Sequence, residues 1–168
     1  MIRKFCFSLF LLLLSFNAWA QRSPEDVGKE VFEALHSKDF DRIAAIAPNE
    51  EVIQVMMKKS AEKTGQELGL GFKAEDVVER MQMKMKAEFD DMLKSAKFEK
   101  VKLKKLKFDR IVEVNDNPES PSPMKAVVMA MDYKGKPVNL TYSVVQSGEN
   151  WYYTGTLLSF SIFQQVRK

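Results

Sequence analysis

The sequence predicts an α+β domain: N-terminal helices packed on one face of a curved, roughly four-stranded antiparallel sheet. Three observations predict it. Between Met124 and Phe160 three apolar or alternating runs are separated by two short turn signals, the pattern of an antiparallel meander. Ahead of Phe98 the apolar residues recur at helical spacing. From Phe98 to Val114 the period changes, which adds one strand before the meander. The helices must bury their stripes, and the sheet is the only large apolar surface that can receive them.

The turns specify the meander. In Lys134-Gly135-Lys136-Pro137 a glycine supplies a positive φ and a proline begins the next strand without leaving an unpaired donor inside it. Ser147-Gly148-Glu149-Asn150 supplies the second turn, with Gly148 expected at positive φ. After it, Trp151 and Tyr152 must point to opposite faces. Trp151 is assigned to the helix-facing side, because Tyr153 and Leu157 share its parity whereas Tyr152 shares parity with Thr154 and Thr156.

Residues 1–20 read as a secretory signal peptide. Arg3 and Lys4 precede an apolar run that includes Leu11 to Leu14, and Ala18-Trp19-Ala20 gives an A-x-A cleavage site before Gln21. The core between Phe5 and Phe16 is shorter than the ~20 residues a spanning helix needs. An exported, periplasmic or extracellular, single domain over residues 21–168 is the expectation. The one cysteine, Cys6, lies within the signal, so the exported segment holds no thiol nucleophile, disulfide or cysteine-based metal site. Without Arg3 and Lys4 the formal charge falls from +3 to +1, which provides no global basic field to recruit nucleic acid.

Ser23-Pro24-Glu25-Asp26 opens the first helix, with a hydroxyl at the N-cap, proline in the first turn and acids where the dipole favours them. Val27, Val31, Ala34 and Leu35 form its buried face, and His36 to Lys38 its end. Asp39 caps a short second helix with Phe40, Ile43, Ala44 and Ala47 inward, and Pro48 stops it. Asn49 caps a third helix carrying Val52, Ile53, Met56, Met57 and Ala61, ending near Thr64-Gly65. Gln66 to Lys73 read as a loop. The longest helix, about Ala74 to Lys97, carries Val77, Val78, Met81, Met85, Phe89, Met92, Leu93 and Ala96 on one stripe. Phe98 to Val114 reads as one strand with a β-bulge near Lys104-Lys105, since Val101 and Leu103 differ in parity from Leu106, Phe108, Val112 and Val114. Asn115 to Pro123 reads as a loop.

VFEALHSKDFDRIAAIAP, residues 31–48, resembles the opening of secreted bacterial domains of the nuclear transport factor 2-like superfamily. SGENWYYTG, residues 147–155, is similar to the last strand of those domains. The resemblance implies a cone-shaped sheet closed by helices around an apolar pocket. Some relatives are isomerases, dehydratases or hydrolases that use Asp, Glu, His or Tyr there, and many bind ligands or partners without chemistry. Cystatin-like and lipoprotein-carrier-like folds stay open beside it.

Gly69-Leu70-Gly71-Phe72 matches the letters of a PDZ carboxylate-binding loop but is followed by a helical pattern, so a loop between helices is the better reading. His36, the lone histidine, fits a surface or helix-capping role better than that of a base. Met81, Met83, Met85, Met129 and Met131 suggest a thioether copper site, but the helical three do not converge and methionine is a common core filler. Lys100, Lys102, Lys104, Lys105 and Lys107 could touch an anionic lipid or polyanion, whereas lysines along a strand ordinarily guard an edge. None of Asp39, Asp41, Asp109, Asp132, Tyr133, Tyr142 or Tyr153 aligns with a catalytic motif. No catalytic, cofactor or metal residue is therefore assigned. The expectation is a non-enzymatic exported domain that binds a small apolar ligand or a partner protein, with the sheet as the surface for any homodimer. A small acid–base pocket enzyme and a lipid or lipoprotein carrier are the alternatives.

Overall fold

The computed structural model describes residues 22–64, 73–117, 122–155 and 158–161. The expected signal segment (residues 1–20), the expected loop at Gly69–Phe72 and Leu157 lie outside them. The architecture is α+β, with four helices among the described residues followed by a curled antiparallel sheet. In chain order the elements are α1 (Pro24–Ser37), α2 (Phe40–Ala45), α3 (Glu50–Thr64), α4 (Ala74–Phe98), a 3-10 turn (Leu103–Lys105), β1 (Leu106–Asn117), β2 (Met124–Tyr133), β3 (Lys136–Ser147), β4 (Asn150–Tyr153) and β5 (Leu158–Ser161).

The helix starts are those that the capping residues dictate. Ser23 Oγ accepts from the Asp26 N–H while Asp26 Oδ2 accepts from the Ser23 N–H, a reciprocal box that satisfies two orphan donors. The Ser23 hydroxyl and N–H, then Lys29, hold the Asp26 carboxyl below the usual aspartate range. Asp39 caps α2 through the Asp41 N–H, and Asn49 Oδ1 accepts from the Val52 N–H at the start of α3. Val27, Val31, Ala34 and Leu35 of α1 are all fully buried. In α4 the deepest residues are Met85, Phe89, Met92 and Ala96, while Val77, Val78, Met81 and Leu93 are half-buried.

The sheet runs β1-β2-β3-β4, and β5 returns to pair with β3 beside β4. Lys134 and Gly135 both have positive φ, 56° and 79°, as a two-residue type I′ hairpin requires. Gly148 lies at φ 61° in the second hairpin, as expected. Beyond Tyr153 the Thr154 N–H and Oγ1 both donate to Ser143 O, and Gly155 turns the chain at φ 76°. A side chain at Gly155 would overlap Met85 of α4, so the turn lies directly against that helix. This break lets β4 and β5 share one long edge of β3, through Val144–Ser147 and Asn139–Thr141 respectively. Trp151 and Tyr153 also donate their backbone N–H groups outward to Arg22 O and Ile46 O, so the edge of β4 is covered by chain from the helical layer.

Two expectations are corrected. Residues 98–105 are not strand: α4 extends through Phe98, a loop and the 3-10 turn follow, and β1 begins at Leu106. The bulges lie later, between Phe108 and Arg110 and between Ile111 and Glu113, and they turn Val112 and Val114 outward. Nor is the polar stretch after Val114 loop throughout, because Asn115, Asp116 and Asn117 pair with Ala126, Lys125 and Met124. Strand pairing satisfies their backbone groups whatever their side-chain polarity.

The inner face of the sheet is filled. Val127, Met129, Met131 and Tyr133 of β2 and Val138, Leu140, Tyr142 and Val144 of β3 meet the helices, joined by Trp151 and Tyr153. Trp151 is 8% exposed and Tyr152 half-exposed, as the parity argument expects. Trp151→Ala is expected to lower stability by about 3–5 kcal/mol and Tyr152→Ala by clearly less. Urea melts of the two variants measure this, and equal losses would show both faces sealed.

Candidate functional site

The candidate site is built where α4 ends. Lys100 takes a left-handed conformation at φ 57°, its N–H donates to Lys97 O at 3.1 Å, and the Val101 N–H donates to Ala96 O at 2.8 Å. That pair of bonds is the Schellman motif, which satisfies the last carbonyls of the helix and brings Val101 back against Ala96. Both side chains are buried. The Tyr133 hydroxyl secures the next step by accepting from the Lys102 N–H at 3.2 Å and donating to Lys100 O at 3.3 Å. Leu103 then buries its side chain and the 3-10 turn closes. His36 Nε2, with its ring stacked on Phe32, donates to Lys104 O at 3.2 Å, which ties the turn to α1.

These constraints leave a groove of about 580 Å³ with a floor of Leu93, Ala96, Val101 and Leu103. Its rim is lysine: Lys38 from the end of α1, Lys94 and Lys97 from α4, and Lys102, Lys104 and Lys105 from the loop and turn. Among the described residues no carboxylate lines it. Lys94 is paired with Asp91 at 2.8 Å, which raises its pKa. The other five make no ion pair among the described residues. The Lys102 amide hydrogen bond, with the charges of Lys134, Lys105 and Lys102, also lowers the Tyr133 phenol below its ordinary range. The floor can hold hydrocarbon, and the rim can hold negative charge.

The lysine run is therefore placed differently from the expected strand. Of Lys100, Lys102, Lys104, Lys105 and Lys107, only Lys107 stands on a strand; the Schellman loop and 3-10 turn carry the others. They cannot guard a strand edge.

The carboxylates and tyrosines considered above are dispersed. Asp39 is a helix cap, Asp109 pairs with Arg110 on the surface, and Asp132 Oδ1 accepts from the Gly135 N–H in the first hairpin. Asp41 is exposed on α2. The Tyr142 hydroxyl donates to Pro24 O. Met129 and Met131 are buried core residues beside Leu140 and Val138, whereas Met83 is 58% exposed. No group of three or more His, Cys, Asp or Glu among the described residues could hold a metal ion.

Glu88, unlike Tyr153, is not among the residues that the sequence singles out. Tyr153 Oη and Glu88 Oε2 are both buried without a hydrogen-bond partner among the described residues. Burial first, and the Glu88 charge second, push the Tyr153 phenol well above its ordinary range, so it stays protonated. The lysine groove does not reach them, nor does a second hollow at Arg22, Asp26, Lys29, Glu30, Arg42, Ala45 and Ile46. In that second hollow Arg42 is bonded to Glu30 and Lys29 lies near Asp26, so its charges are largely matched.

Comparison with models of known families, with curated proteins and with solved structures returned no match to this chain. The site must be read from its own geometry. The signal for it was present in the sequence as SAKFEKVKLKKLK, where apolar residues sit between the lysines, but alternation alone did not separate a strand from a capped helix end.

Tyr133→Phe removes both hydrogen bonds that hold the loop. It is expected to cost about 1–2 kcal/mol and to speed exchange of the Lys102 amide hydrogen. Unchanged protection at Lys102 would show that the loop is held by packing alone.

Proposed function

We propose that this chain is an exported, non-enzymatic binding domain whose ligand is a small amphipathic anion, taken in the groove at the end of α4. The observation that carries the reading is an apolar floor bordered by lysines with no carboxylate among the lining residues. Hydrocarbon on Leu93, Val101 and Leu103 leaves water, while a carboxylate or phosphate head meets the rim. An open groove of this kind suits the carrier or ligand-binding reading better than the enzymatic one. Acid–base chemistry needs two ionisable groups converging on a reacting atom, and the groove offers lysines alone. Export rests on the signal-like residues 1–20. No helix among the described residues is long and apolar enough to cross a membrane.

A fluorescent fatty acid tests the reading. It is expected to bind the protein, to be displaced by unlabelled fatty acid and not by the corresponding alcohol, and to bind roughly tenfold more weakly to Lys102→Glu/Lys105→Glu. Both lysines are exposed, so the fold should survive the change. Equal affinity for acid and alcohol, or for the two proteins, would contradict the assignment.

A further inference from the structure

Phe98 is 84% exposed, well above the next most exposed large apolar residue among the described residues, Met83 at 58%. It is the last residue of α4, next to Lys97, and it does not line the groove. The same short stretch is where the charge collects. Residues 94–107 hold seven lysines against one acid, Glu99, although the exported segment as a whole is nearly neutral. A lone exposed apolar side chain on a protein surface needs no explanation. An aromatic ring in water, within a lysine-rich stretch of chain that also forms an open apolar groove, is a specific combination. It is the composition of a surface that rests on an anionic lipid leaflet, with the aromatic among the acyl chains and the ammonium groups at the phosphates.

We infer that the α4 end docks on an anionic bilayer, with Phe98 inserted and the lysines of residues 94–107 facing the headgroups. The inference rests on the groove reading above, and it names the lipid leaflet as the source of the amphiphile. The geometry serves this end in two ways. The left-handed turn at Lys100 reverses the chain directly after Phe98, so the ring lies at the tip of a helix. Tyr133 and His36 hold the backbone of the loop and the 3-10 turn, so the backbone that carries these lysines is in place before contact and needs little ordering on binding. Lysine stems can lie along the apolar floor while their heads stay at the phosphate level.

The test is co-sedimentation of the 21–168 chain with vesicles of phosphatidylcholine alone and with vesicles containing about 30 mol% phosphatidylglycerol. Binding is expected to the anionic vesicles only, with release at ~0.5 M salt. Phe98→Ser is expected to weaken vesicle binding roughly tenfold while leaving fluorescent fatty acid binding in solution unchanged, because Phe98 lies outside the groove. Equal binding to both vesicle types, absence of binding to either, or an unaltered Phe98→Ser variant would each overturn the inference. Fatty acid binding without vesicle binding would sink the membrane face alone and leave the groove reading standing. Loss of both would remove the two together. Tighter binding to an acidic peptide such as polyglutamate than to anionic vesicles would also overturn it, by marking the surface as one for a protein partner.

Discussion

The position of α1 depends on the absence of a side chain at Gly28. A Cβ there would overlap the Tyr142 hydroxyl and crowd Ile111 Cδ1, so the helix lies closer to the inner face of the sheet than any other residue would permit. At that distance the Tyr142 hydroxyl reaches Pro24 O at 3.1 Å, and Val27 and Val31 are sealed from water. The phenol is held neutral by its burial, with the Glu25 charge adding to the effect, and it spans the interface as a donor. Once α1 is seated, its far end is fixed as well. Lys38 is delivered to one side of the groove and His36 to the carbonyl of Lys104. One side of the lysine surface is thus tied to a contact at the opposite end of the helix.

Much of this fold was legible because local signals agreed with the global pattern. Ser23, Asp39 and Asn49 marked three helix starts that the side-chain hydrogen bonds reproduce, and Gly135 and Gly148 marked both hairpins. Trp151 was placed by parity alone. What failed is also instructive. Between Phe98 and Leu106 the alternation of lysine with Val101, Leu103 and Leu106 imitates a strand, yet the period reflects a Schellman turn followed by a 3-10 turn, each of which buries one apolar residue. A lysine in a left-handed conformation carries no composition signal of the kind glycine gives. The site was missed for the same reason, since its lysines were read as strand residues. The fifth strand escaped notice because pairing with β3 beside β4 requires the break at Gly155, and long-range edge sharing leaves no local trace.

The buried polar groups divide in a way that bears on function. Tyr133 and Tyr142 each use the hydroxyl to fix backbone from another element, while Tyr153 Oη in the core and Oε2 of the half-buried Glu88 have no hydrogen-bond partner among the described residues. Such atoms cost stability, on the order of 1–3 kcal/mol for each group. The costly pair and the chemically competent surface occupy different places. The lysines of the groove stand on backbone held by Tyr133 and His36, away from those unsatisfied atoms.

The account stands on the closeness of α1 to Tyr142, and Gly28→Ala tests it by sign. In an ordinary helix interior this change stabilises by about 0.5–1 kcal/mol, because alanine is the better helix former. Here the added methyl meets the Tyr142 hydroxyl, so urea melts should show a loss of stability, and the loss should shrink in a Tyr142→Phe background where the hydroxyl is gone. A Gly28→Ala protein more stable than the parent, or an effect indifferent to Tyr142→Phe, would contradict the account.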